Sequence, residues 1–246
     1  MVALCFGWLL VGCEATIEVV ARTETPAETP ERPAIPAPDL PLLEPPVNRR
    51  AAKIRLRLDE ARGVDVWDSP SQAKGFLNRS DRAYWVSGVL NGALEFGNES
   101  YLQMDSPEFG DYSGEAFSIS AWVYVKATAG AAIRPPLVSK GFDYEFTVYG
   151  LSVGRDSNQL PPTPIPQDRW VHLVGTFNKG VHKRYWDGEL NASSQVSTHR
   201  VEAKFAFFKL GHGTDAGGNC ACILDDIRVS HVELTADEVS SIYQER

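Results

Sequence analysis

No lysine or arginine precedes the apolar run Val2–Val11, although an ordinary export signal opens on positive charge. Long apolar runs are missing as well. Residues 1–13, MVALCFGWLLVGC, are too short to span a bilayer, and Glu14 and Glu18 follow them. Glycine is absent from residues 14–50, which hold eight prolines, so that stretch cannot build a packed core. Cysteine is scarce: beyond Cys5 and Cys13, only Cys220 and Cys222 remain. Basic charge is outweighed, and the net charge of −8 disfavours nucleic acid and anionic lipid as partners. The one basic run, Arg49 through Arg57, alternates Arg55 and Arg57 with Ile54, Leu56 and Leu58, as a strand with one wet face does. There is no GxSxG, HExxH or GxxxxGK[ST], and the five histidines are scattered.

The amino-terminal run fits the apolar region of a signal peptide better than a membrane helix. Leu10-Val11-Gly12-Cys13 ends it and resembles the lipobox of bacterial lipoproteins. That resemblance implies a cut before Cys13 and acyl chains on its amino end. Each buried CH₂ contributes roughly 0.8 kcal/mol, and stable anchoring takes more than one chain. Residues 14–50 then read either as a semi-rigid spacer, at roughly 3.1 Å per residue in polyproline II, or as a tail with no spacing role. The expectation is a protein of the cell envelope, anchored through lipid on Cys13 and by no other membrane contact. The alternative is a secreted or periplasmic protein.

Residues 51–246 are dense in short strand signals. Lys53–Leu58 alternates, and Ala116–Val125 alternates without a break. In it Phe117, Ile119, Ala121, Val123 and Val125 share one face, and Ser118, Ser120, Trp122 and Tyr124 the other. Further strands read at 92–96, 101–104, 136–139, 144–149, 170–177, 181–186, 205–210 and 222–229. Asp187-Gly188 is a hairpin signal. No helical pattern of 10–15 residues separates the strands, which excludes an α/β fold. One helix is expected at the end. Thr235 and Glu238 form a capping box, Val239 and Tyr243 share a face, and the helix should pack against the rim of a sandwich. Together these predict one all-β domain.

The motifs carry a resemblance through nearly all of 51–246. Leu58-Asp59-Glu60, Val66-Trp67-Asp68-Ser69, Trp85 with Gly88, and Ala93-Leu94-Glu95-Phe96 with Tyr101-Leu102 come in order. Phe117–Val123, Leu137–Gly141, Trp170–Phe177, Tyr185-Trp186-Asp187-Gly188, Leu224–Val229 and Leu234–Val239 follow. In this order they resemble the laminin-G-like, concanavalin A-like lectin/glucanase domains in their bacterial form. The resemblance implies a two-sheet antiparallel jelly-roll sandwich with a short carboxy-terminal helix. Cys222 departs from it, standing where glycine usually precedes the Asp pair. The loops 126–136 and 156–168 are irregular where such folds often place recognition.

Chemistry is harder to find. The glucanases of this fold carry Glu-x-Asp-x-x-Glu or close variants, and none is present. Asp143 and Glu145 have the i,i+2 spacing but lack a third acid. Asp225 and Asp226, being adjacent, should point to opposite faces. No catalytic residue and no cofactor is assigned. His172, inside an apolar strand, reads as a structural hydrogen-bonding histidine. Some family members bind calcium, and Asp59, Asp68, Asp225 and Asp226 occupy acidic positions of the pattern. Asp225 or Asp226 either helps hold an ion or accepts backbone N–H bonds at a bulge, and no ligand set is assigned. Cys220 and Cys222 lie on one strand face, roughly 6.6 Å apart if extended. They are open to three readings: buried thiols, a disulfide that needs a bulge or twist, or a metal pair. The function expected is a non-catalytic binding or adhesion module, with a polysaccharide or an envelope protein as partner. The alternatives are a structural module of a surface assembly and a divergent glycosidase or lyase. Trp122 and Tyr124, on the outward face of a central strand, either hold sugar rings or seal the sheet.

Overall fold

The computed structural model describes residues 52–127, 136–141, 143–154, 160–198, 200–202, 206–213 and 220–245. Cys13, the expected export segment 1–13 and the proline-rich stretch 14–50 lie outside them. Among the described residues there are fifteen strands and one α-helix. In chain order these are β1 (Ile54–Leu56), β2 (Asp65–Trp67), β3 (Lys74–Asn78), β4 (Ala83–Ser87), β5 (Gly92–Phe96), β6 (Tyr101–Met104), β7 (Ala116–Val125), β8 (Pro136–Lys140), β9 (Tyr144–Thr147), β10 (Gly150–Val153), β11 (Trp170–Asn178), β12 (Val181–Trp186), β13 (Glu189–Gln195), β14 (Phe208–Leu210), β15 (Cys222–Ser230) and α1 (Ala236–Gln244).

All pairings are antiparallel and make two sheets. The eight-stranded sheet runs β13-β12-β11-β7-β15-β5-β4, with β1 also on β15. The seven-stranded sheet runs β10-β9-β8-β14-β6-β3-β2. The expected central strand, β7, sits between β11 and β15. Its Phe117, Ile119, Ala121 and Val123 are fully buried in the core between the sheets, with Leu102, Val138, Phe146, Leu173, Phe208 and Leu224. The two-residue period of β7 thus becomes one core-facing row.

At Asp187-Gly188 both central residues have positive φ, 50° and 86°, the geometry of a type I′ turn. Helix α1 begins at the expected capping box, with Thr235 Oγ1 accepting from Glu238 N–H and Glu238 Oε2 from Thr235 N–H. It does not lie at the rim. Val239 packs with Val174, Tyr185 and Leu234, and Tyr243 lies 5.6 Å from the Trp122 ring, so the helix covers the outer face of the eight-stranded sheet.

Cys220 and Cys222 are joined in a disulfide, which settles their three readings against free thiols and a metal pair. Cys220 stands before β15 begins, and the bend brings the Cα atoms to 5.2 Å, inside the normal range.

Candidate functional site

Three groups of residues bear on function: the aromatics of β7, the family acids, and the outer face of the seven-stranded sheet.

Trp122 is 1% exposed. Tyr243 of α1 lies over it, and the His172 ring packs at 5.1 Å. Tyr124 is half-buried and meets Trp170 edge-on at 5.7 Å. Trp122 therefore seals its sheet under the helix and offers no ring to a ligand, while Tyr124 keeps part of its surface. His172 is fully buried, and burial pushes its pKa down to about 3, so the ring is neutral. Its Nδ1 has no hydrogen-bond partner, and the ring stacks on Tyr243 instead. Aromatic packing holds the ring on its Tyr243 and Trp122 sides.

Asp225 and Asp226 depart from expectation through a β-bulge. Asp225 faces Trp122 and Arg228 faces Ser120, so Asp226 and Ile227 share one partner residue, and Asp226 takes φ 45°. The extra residue resets the alternation. Both carboxylates now lie on the outer side, and Ile227 turns into the core. Asp226 accepts from Arg55 Nε at 2.7 Å and from Arg228 Nη2 at 2.5 Å, and Arg228 reaches Glu245 at 2.6 Å. Burial alone would raise its pKa, but the two guanidiniums outweigh burial and hold it below the usual range. Among the described residues no cation pairs with Asp225. Its Oδ2 accepts from Val89 and Leu90 N–H at 2.7 and 2.8 Å, and Oδ1 has no partner. Burial pushes its pKa up to about 8, against the two N–H groups that pull it down.

The other two family acids are used by the chain. Asp68 accepts from Arg55 N–H, Ser71 N–H and Ser71 Oγ–H, and Asp59 from Gly92 N–H and Arg57. Among the described residues no three acidic, histidine or cysteine side chains converge as a metal site would require. These residues do not fit a calcium cage.

The outer face of the seven-stranded sheet is different. Among the described residues no helix packs on it. Val66, Leu77, Leu102 and Leu210 point to the core, which turns their neighbours outward. The registers place Asp65 beside Phe76, Phe76 beside Gln103, Gln103 beside Lys209, Lys209 beside Ser139, Ser139 beside Glu145 and Glu145 beside Ser152. One row therefore crosses all seven strands with one side chain from each, at roughly 4.8 Å per strand. Trp67 and Phe76 are 44% and 37% exposed, and Lys74 Nζ lies 5.8 Å from the Trp67 ring and 2.9 Å from Asp65. Tyr101, opposite Asn78, stands in the next row with Lys209 Nζ 4.9 Å from its ring. Past the strand ends a cavity of about 360 Å³ opens, lined by Asn78, Arg79, Glu99, Tyr101 and His212.

Aromatic faces beside side chains that donate and accept hydrogen bonds suit an amphipathic ligand such as a sugar. Sequence reasoning placed Trp67 and Tyr101 only within family motifs, and did not mark Phe76. The signal was present in β2 and β3, where Val66 and Leu77 alternate with Trp67 and Phe76.

The model of the concanavalin A-like lectin/glucanases superfamily matches residues 96–240. Among solved structures, domain 4 of AbnA, a GH43 extracellular arabinanase from Geobacillus stearothermophilus, in complex with arabinotriose, is 19% identical. That match covers 78% of this chain and 98% of that one, at TM-score 0.59. The botulinum neurotoxin serotype G binding domain is 16% identical over 78% of this chain and 50% of its own, at 0.56. A Trypanosoma rangeli sialidase in complex with the inhibitor DANA is 15% identical over 78% and 32%, at 0.54. This chain thus spans about half the toxin domain and a third of the sialidase. Likeness at these identities establishes the fold. No curated protein matches the sequence.

Proposed function

The chain belongs to the concanavalin A-like lectin/glucanases superfamily, and from that premise we propose that it is a carbohydrate-binding module whose site is the open face of the seven-stranded sheet. One observation carries the reading. Two large aromatic side chains, Trp67 and Phe76, stand exposed on a row whose accessible polar part runs from Asp65 to Lys209, Ser139 beyond it being buried under His212, while the opposite sheet is roofed by α1. The stretch over β2, β3, β6 and β14, four strands at roughly 4.8 Å spacing, is long enough for two or three sugar units. The complex of the arabinanase domain with arabinotriose gives the same fold a carbohydrate ligand.

The module binds and does not cleave. A glycosidase needs two carboxylates set across one bond, about 5–5.5 or 6.5–9.5 Å apart. The row carries Asp65 at one edge and Glu145 on the fifth strand along, and Asp65 is paired with Lys74. The protein sits on the cell envelope, held by lipid on Cys13, with residues 14–50 as spacer. The apolar run ending at Gly12-Cys13 supports that placement.

The test is retention of the full chain on a panel of neutral and acidic polysaccharides. Trp67→Ala and Phe76→Ala should each weaken binding about tenfold or more, as loss of a central aromatic contact does. Tyr84→Ala, at an exposed ring on the other sheet, should leave it unchanged. Retention on no polymer refutes the reading, and release of reducing ends refutes the absence of catalysis. Intact mass of membrane-extracted protein tests the anchor, since a full unmodified chain would refute processing at Cys13.

A protein partner is favoured by one feature. Val64, 42% exposed, adds to Trp67 and Phe76 at the edge of the sheet and makes that end apolar. A blank polysaccharide panel with a single envelope protein captured, and lost on Trp67→Ala, would establish it instead.

A further inference from the structure

We propose that the cavity at the strand ends of the open face is a carboxylate subsite, so that the polymer bound there carries uronic-acid sugars. This rests on the open face being a glycan site.

Charge argues for it first. Arg79 Nη2 donates to Glu99 Oε2 at 2.6 Å, and Arg82 Nη1 reaches the same oxygen at 3.4 Å. Two guanidiniums thus share one carboxylate oxygen. Arg82 also lies 3.7 Å from Asp81, and Lys209 Nζ stands over the Tyr101 ring. Arg79 and Glu99 line the cavity, and with Arg82, Lys209 and Asp81 beside it the cations number three against two acids, on a chain whose net charge is −8. A local excess of positive charge favours an anion at this point.

Geometry narrows the anion. A guanidinium has five N–H donors in a fixed fork, and Arg79 commits one of them to Glu99. The remainder suits the planar, bidentate pairing that a carboxylate accepts. Tyr101 and His212, edge-on at 5.1 Å, form the apolar wall against which the carbon face of a sugar ring would lie. His212 Nδ1–H donates to the Gly213 carbonyl, which fixes that ring. Arg79 and Glu99 both take left-handed backbone, φ 54° and 64°, uncommon for residues other than glycine.

The experiment uses the full chain and isothermal titration at low salt with polygalacturonate, its methyl ester and dextran sulfate. The ester keeps the sugar backbone and removes the charge. Polygalacturonate should bind about tenfold tighter than the ester, as hydrogen bonds to a charged group do. Arg79→Gln should bring the acid polymer down to the ester's level, and Arg79→Lys should keep part of the preference. Glu99→Gln should widen the preference, because it removes the competing carboxylate. A purely structural role for the Arg79–Glu99 pair would move both variants the same way, and unfolding temperatures taken in parallel would show it. Equal affinity for acid and ester, with Trp67→Ala still abolishing both, overturns the subsite and leaves the glycan face standing. Tighter binding of dextran sulfate than of polygalacturonate overturns the carboxylate assignment. No binding of any polymer overturns the subsite and the face together.

Discussion

Asp225→Asn should change how stability depends on pH, and the sign follows from two buried groups. Asp225 is fully buried and its pKa rises from 3.8 to about 8. Between those values the folded chain holds a proton that the unfolded chain has lost. Its contribution is complete below 3.8 and disappears as pH climbs through 8. His172 works in the opposite sense. Its pKa falls from 6.5 to about 3, so its contribution is complete above 6.5 and is lost as pH falls. From 3.8 to 6.5 the two slopes oppose and largely cancel. From 6.5 to 8 Asp225 acts without His172. One and a half pH units at about 1.4 kcal/mol each amount to about 2 kcal/mol of lost stability. For a domain of this size that is a fall in Tm of roughly 4–8 °C. Asparagine can still accept from Val89 and Leu90 N–H and carries no charge, so Asp225→Asn should flatten this limb. The assay is thermal unfolding by circular dichroism in buffers from pH 5 to 9. A wild-type Tm that stays level or rises from 6.5 to 8 would refute the reasoning. So would an Asp225→Asn curve parallel to wild type. Either result would mean that the folded carboxylate is already ionised, as it would be with a cation against Oδ1.

Gly188→Val should destabilise by more than about 1 kcal/mol. The residue has φ 86°, and an added Cβ would stand 3.2 Å from Tyr243 Cδ1, so a lowered Tm with helix α1 loosened is expected. Thr235→Ala removes the cap of that helix and should cost about 1 kcal/mol, read by urea unfolding. It should also redden Trp122 fluorescence as Tyr243 lifts away. Alkylation of the denatured, unreduced chain should leave Cys220 and Cys222 unlabelled, and mass after reduction should show two new adducts.

The architecture was legible because β7, β11 and β15 are long and β7 alternates without a break. Ala116–Val125 and Val181–Trp186 coincide with β7 and β12. Expected 144–149 ends as β9 at Thr147, and β10 (Gly150–Val153) went unread, because the turn at Val148-Tyr149 carries no Asn-Gly type pair before Gly150. In strands as short as the edge strand β2 and its neighbour β3, the alternation is present but spans too few residues to stand out. Gly75 also weakens the strand signal of β3, yet it is needed there: a Cβ would meet Met104 Sδ at 2.6 Å. The site was less legible than the fold for a related reason. Trp122 and Trp67 both stand on outward faces of strands, and only the docking of α1 decides which is covered. The placement of Asp225 beside Asp226 depended on one left-handed residue, which no alternation rule anticipates.

Strand β15 is the last strand in the chain and nearly the middle strand of its sheet. It bonds β7 on one side and both β5 and β1 on the other, and Ile54 lies across from Val229. A ribosome making this protein releases β15 only after the other fourteen described strands. Until then β7 and β5 are two unpaired edges, and the sheet is a pair of incomplete halves. Closure across that separation is slow, because the entropy of a long loop must be overcome before the contact forms. The nascent chain therefore stays unfolded, or open-edged, for most of its synthesis. A truncation anywhere before Cys222 would leave that state permanent.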